Sequence, residues 1–219
     1  MSTRAIEHLR QSDPRLVEWI ERLGVIKIPV RRPLEPYGAL LQSIAFQQLA
    51  GAAARVIWGR VLELFENADP RPERLLALAD QRLRGAGLSR SKVLAMKDIA
   101  TRSLAGQVPD ATRIKTMKDA DIYELLTQIR GVGPWTVDML MMFTLRRPDV
   151  MPATDYGVRK GIQVLYRKRA LPTPAQVLKT SEKWRPYRST AALYLWRVAE
   201  SAKPAKPAKP KKKSRSLPK

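Results

Sequence analysis

The sequence has no cysteine and a single histidine, His8, in 219 residues. Disulfides, thiolate zinc sites, iron–sulfur clusters and cysteine nucleophiles are excluded together. With one histidine, Ser-His-Asp catalysis and multi-histidine metal sites are poorly supplied as well. No apolar run reaches the roughly 20 residues that a membrane span needs. The first residues, MSTRAIEHLRQSDPR, carry no apolar stretch of the kind that marks secretion, so no membrane is expected as a partner. Negative charge is scarce too: 20 Asp+Glu stand against 41 Lys+Arg, a formal net charge of +21. Catalysis would have to rest on carboxylates, lysine, tyrosine or electrostatics, and the charge balance points to a polyanion as partner.

What is present reads as helix. Ser12-Asp13-Pro14 supplies a cap and a first-turn proline, after which Leu16, Val17, Ile20 and Leu23 share one face. Pro29–Pro36 interrupts the pattern. Residues 37–65 are rich in Ala, Leu and Ile with a break at Gly51, and further helices are expected over 89–104, 119–129, 135–145, 156–166 and 187–200. No segment alternates in a way that demands a strand, so the expected fold is all-α. Lys203–Lys219 changes character: KPAKPAKPKKKSRSLPK holds eight positive charges and no negative one. Proline at every third place forbids helix and the lack of apolar residues forbids a core, which predicts a disordered basic tail.

Two short segments carry the chemistry. Leu125–Thr136 reads as a helix end, a Gly131-Val132-Gly133 turn and a second helix opened by Pro134. Unpaired amides at such a helix start form an anion site, so this helix–hairpin–helix suits a DNA phosphate. A plain corner between two helices would satisfy Gly-x-Gly as well. Beyond it, Met151-Pro152-Ala153-Thr154-Asp155-Tyr156-Gly157 places an aspartate where a helix begins, and a simple N-cap is the plainer reading of Asp155.

Taken together, the hairpin, an intervening helix, a proline-containing loop and the aspartate resemble the HhH-GPD superfamily of base-excision DNA glycosylases, and within it the AlkA-type 3-methyladenine DNA glycosylase II. Four separated blocks carry the resemblance: Ser43–Ala50 with Gln48-Leu49, Gly85–Lys92, the hairpin with Asp155, and Trp184–Ser189 with Leu195-Trp196. It implies two helical subdomains with a cleft between them, in one domain spanning about 1–202. Residues 36–147 would form the central subdomain, and 1–35 with 148–202 the second. It implies monofunctional hydrolysis of alkylated bases from double-stranded DNA by base flipping, with Asp155 as the catalytic carboxylate. Trp135, Tyr187 and Met139 would line the base slot, where ring faces attract cationic alkylpurines. Gln48 and Leu49 would wedge into the duplex, and Gly131, Val132, Gly133 and Thr136 would hold phosphate. The backbone carbonyls of Thr127, Ile129 and Val132 would hold a monovalent cation, with no other cofactor required.

Trp135 stands where bifunctional members carry a Schiff-base lysine, so no lyase activity is expected. Against the longer bacterial enzymes a compact form without their N-terminal β-rich domain is expected, and Tyr187 and Met139 stand where larger or aromatic residues are common in the family. Core packing is the plainer reading of Leu49 and of the indoles, and the one preferred for Trp19, Trp58 and Trp196. A monomer acting in the cytoplasm and nucleoid, or in a nucleus, is expected. A non-catalytic DNA-binding protein would explain the charge and the turn, but not the aspartate, the aromatic slot and Gln-Leu together.

Overall fold

The computed structural model describes residues 3–26, 35–49 and 51–201, and most of its helices start where the sequence supplies a cap or a proline. In chain order they are α1 (Thr3–Ser12), α2 (Pro14–Leu23), α3 (Pro36–Phe46), α4 (Gly51–Leu62), α5 (Pro72–Ala77), α6 (Asp80–Gly85) and α7 (Arg90–Leu104). There follow α8 (Ala111–Thr116), α9 (Asp119–Leu126), α10 (Pro134–Met139), α11 (Tyr156–Leu165), α12 (Pro174–Ser181) and α13 (Arg188–Ser201). The described residues contain no strand, and the fold is all-α. Among them no helix is long and apolar enough to cross a membrane. The expected tail, Lys203–Lys219, and most of the Pro29–Pro36 stretch lie outside the described residues.

Local chemistry explains the boundaries. The side chains of Asp13, Ser89, Asp110 and Asp155 each accept from amides in the first turn that follows them. Thr173 and Gln176 form a complete capping box at α12. The expected helix over 135–145 is two pieces, because Leu140–Thr144 widens into a π turn after α10. The expected helix over 119–129 ends at Leu126, with Thr127 as its C-cap.

Principal packing falls into two sets: α3 to α7 with α9 and α10, and α1, α2 and α11 to α13. In the first, α3 is apolar all round, buries Leu40, Leu41 and Ile44 completely, and meets α4, α7 and α10. In the second, α11 and α13 approach until a Cβ on Gly161 would lie 2.2 Å from the Leu195 carbonyl oxygen. Asp13, 1 % exposed, ties the chain's two ends together. It caps α2 and accepts from Trp184 Nε1 at 3.0 Å, Lys183 Nζ at 3.0 Å and the Tyr166 hydroxyl. We propose 36–147 and the flanking terminal helices as the two subdomains, a division that this packing favours.

Candidate active site

Asp155 ends the loop that leads into α11 and caps that helix, its Oδ1 accepting from Val158 N at 2.9 Å. The loop is fastened to the start of α13. Asp149 pairs with Arg188 at 2.8 Å and with Arg185 at 2.6 Å, while the Ser189 hydroxyl donates to Arg147 O and accepts from Val150 N. Two indoles then reach the same carboxylate. Trp135 Nε1 donates to Oδ2 at 2.8 Å, and Trp196 Nε1 donates to Oδ1 at 2.7 Å. An indole N–H can only donate, so the pair orients a negative charge rather than sharing a proton with it. Trp196, read from sequence as core, is a direct partner of Asp155. The close approach of α11 and α13 brings the indole N–H to the carboxylate while the ring still packs against the core.

Trp135 is the second residue of α10, and Met139 follows one turn later; both are half-buried. Beside them, Asp138 is 5 % exposed and accepts from the Tyr123 hydroxyl. Burial pushes the Asp138 carboxyl up to about 7, the Tyr123 bond opposes that rise, and the Asp155 charge adds to it. Tyr187, half-buried just before α13, meets the His8 ring of α1 edge to face at 5.4 Å between centroids. The structure thus joins Asp155 to Trp135 directly, and sets Tyr187 against the N-terminal helix.

The hairpin sits on α7. Gly131 has φ +76°, and a Cβ there would lie 2.7 Å from Ala95 Cβ, so glycine is required on both counts. Gly133 needs neither: its φ is −102°, and a Cβ would meet nothing within 4 Å. Its front is open to another molecule. Among the described residues the amides of Gly133 and Trp135 have no acceptor, whereas Val132 N bonds Ile129 O at 3.0 Å and Thr136 N bonds Gly133 O at 2.9 Å. The side chains of Val132 and Thr136 are buried as well. The expected phosphate contacts at Val132 and Thr136 are therefore turned inward, because both amides close the turn itself.

Thr136 serves a different neighbour. Gln47 Nε2 donates to its hydroxyl at 3.0 Å and to Gly131 O at 2.9 Å. Gln47 begins the loop between α3 and α4, in which Gln48 has φ +56° and Leu49 is 38 % exposed. Lys92, from α7, holds the same loop by donating to Ala45 O at 3.0 Å and Gln47 O at 2.8 Å. Gln47 and Lys92 are tethers of this loop that the sequence reading passes over, since their partners, main-chain carbonyls and the Thr136 hydroxyl, are distant along the chain.

Residues 41–186 match the family of HhH-GPD superfamily base excision DNA repair proteins. The chain belongs to this superfamily. It is 39 % identical over 169 residues to DNA-3-methyladenine glycosylase 1 of Schizosaccharomyces pombe, covering 77 % of this chain and 74 % of that protein. Among solved structures it is similar to the 3-methyladenine DNA glycosylase of that yeast in complex with abasic DNA. There the TM-score is 0.88, with 35 % identity over 91 % of this chain and 98 % of the other. It is also similar to a DNA-3-methyladenine glycosidase of Bacillus halodurans, with TM-score 0.76 and 33 % identity over 90 % of each chain.

For this HhH-GPD chain, the described residues hold no group of His, Cys, Asp or Glu side chains that could bind a metal. The three carbonyls of the hairpin are a separate, oxygen-only donor set. Among the described residues those of Thr127 and Val132 accept no hydrogen bond, and that of Ile129 accepts one, from Val132 N at 3.0 Å. Free lone pairs on hard oxygen donors are what a monovalent cation requires.

Proposed function

We propose that this protein is a monofunctional DNA glycosylase that hydrolyses the N-glycosidic bond of alkylated bases, 3-methyladenine and related lesions, in duplex DNA. The observation that carries the proposal is the carboxylate of Asp155, a helix cap held by the N–H groups of Trp135 and Trp196. A plain cap needs only the amide at Val158; here Trp196 adds a second donor to the capped oxygen, and Trp135 engages the other. The names borne by its relatives support the choice of alkylated bases.

In this reading the amides of Gly133 and Trp135 grip a phosphate near the lesion, and the exposed Leu49 fills the space that the extruded nucleotide leaves. Gln47 joins these two actions, because it touches the hairpin and starts the wedge loop. The extruded base enters a slot with Trp135, Met139 and Tyr187, where the ring faces of Trp135 and Tyr187 favour the positive charge of an alkylated purine by about 1–2 kcal/mol. As the bond breaks, its electron pair leaves with the base and positive charge builds on the sugar. Asp155 stabilises that charge and accepts the proton of the water that adds to C1′. A cation held by the carbonyls of Thr127, Ile129 and Val132 would add positive charge beside the phosphate. No lyase step follows, since an indole at position 135 cannot form a Schiff base. We assign the protein to wherever the genomic DNA lies, nucleoid or nucleus, and to action as a monomer.

Single-turnover release of 3-methyladenine from methylated duplex DNA tests the proposal. Wild type should release base, and Asp155→Asn should bind the duplex normally while releasing at least about 100-fold more slowly. A wild type that binds alkylated duplexes and releases nothing from any of them is a DNA-binding protein instead.

A further inference from the structure

Asp155 offers two oxygens, and both are engaged. Trp135 takes Oδ2, while Trp196 and the Val158 amide share Oδ1. Trp135 lies on the helix that opens at the hairpin. Trp196 comes from behind, on α13, with its ring stacked on Phe143 at 5.8 Å between centroids and 21° between planes. Its seat is made by Gly157, in the first turn of α11. A Cβ at that position would lie 2.6 Å from Trp196 Cδ1, 3.0 Å from Nε1 and 3.1 Å from Asp155 Oδ1. One turn further, Gly161 allows the α13 backbone to approach α11. An indole serving only as filler has no use for a notch that delivers its N–H to a carboxylate.

We infer that Trp196 is a positioning residue for Asp155, and that Gly157 is the notch that seats it. Together with the Val158 amide, the Trp196 N–H pins Oδ1, leaving Oδ2 as the oxygen that meets the sugar when Trp135 responds to an incoming base. A carboxylate held at one oxygen by two donors cannot rotate about its Cβ–Cγ bond, so its charge stays aimed at the reacting carbon. This preorganisation is the form in which an electrostatic group contributes most. The inference rests on the glycosylase reading above.

Equilibrium binding to two duplexes, identical except at one abasic position, separates positioning from packing. One carries neutral tetrahydrofuran; the other carries a cationic pyrrolidine, which stands for the charge on the sugar in the transition state. Wild type should prefer the cationic duplex. Trp196→Phe removes the donor and keeps a ring. It should lose about tenfold of that preference, as expected for one charge-assisted hydrogen bond, while tetrahydrofuran affinity stays within about twofold. Asp155→Asn should abolish the preference, and adding Trp196→Phe to it should change nothing further. Gly157→Ala, whose added Cβ displaces the indole and its N–H while the tryptophan itself is retained, should reproduce the loss and serves if Trp196→Phe does not fold. Full preference in both variants, or equal weakening for both duplexes, overturns the inference. No preference in wild type would remove the electrostatic role of Asp155, and the positioning of that charge with it, whereas positive charge readout without Trp196 dependence would spare the glycosylase reading.

Discussion

Asp138 shows how a single buried carboxyl couples the site to pH. It is 5 % exposed, and burial, opposed by Tyr123 and aided by Asp155, pushes its carboxyl up to about 7. In an unfolded chain an aspartate titrates near 3.9. Between those two values the folded protein holds a proton that the unfolded chain has released, so stability falls as pH rises from about 4 to 7 and then levels. The whole span is worth at most about 4 kcal/mol. Asp138→Asn keeps an acceptor for Tyr123 and removes the titration. Its melting temperature relative to wild type should therefore climb with pH across that window, and a constant difference from pH 4 to 8 would contradict the account. Asp138 is not legible in the sequence, where it is one more polar residue in a helix. Asp155 and Trp135 are legible because their order along the chain is distinctive. Trp196 is visible only as an indole, since hydrogen bonding to Asp155 depends on two helices meeting edge to edge.

Between elements, the decisive contacts pass through small residues and main-chain groups, and sequence patterns are weakest there. Apolar periodicity and caps identify α2, α7 and α11 to within a residue or two at most ends. Helices of six residues, such as α5, α6 and α8, are too short for a periodic signal to develop. The π turn at Leu140–Thr144 leaves no local mark either. Gly161 is where α11 and α13 depend most on the absence of a side chain. Its added Cβ would meet the Leu195 backbone at 2.2 Å, and backbone yields less readily than a side-chain end. Gly161→Ala should cost about 1–3 kcal/mol in denaturant unfolding and slow excision by disturbing Trp196. Gln47 makes a different kind of link, from wedge loop to hairpin, through two hydrogen bonds. Gln47→Ala should cost only about 1 kcal/mol of stability, yet lower single-turnover excision from duplex DNA about tenfold. A fall in rate no larger than the fall in stability predicts would separate the wedge from the hairpin.

Across the whole molecule, charge and fold divide the work of finding DNA and acting on it. The folded body brings together one oriented carboxylate, one open hairpin and one projecting loop, all short-range devices. Long-range attraction comes from the net charge of +21, of which Lys203–Lys219 contributes eight positive charges in a segment with no negative one. Each phosphate neutralised by a basic side chain steepens the fall of log K with log salt by about 0.9. If those residues lie along the duplex, deleting them should flatten that slope by several units between about 50 and 200 mM salt. Single-turnover excision at saturating protein should stay unchanged, because Asp155, Trp135 and Trp196 are all in the body. Kd measured at four salt concentrations for the full chain and for residues 1–202 decides the matter. An unchanged slope would mean that the phosphates are neutralised by the body alone, and the tail would have no part in DNA binding.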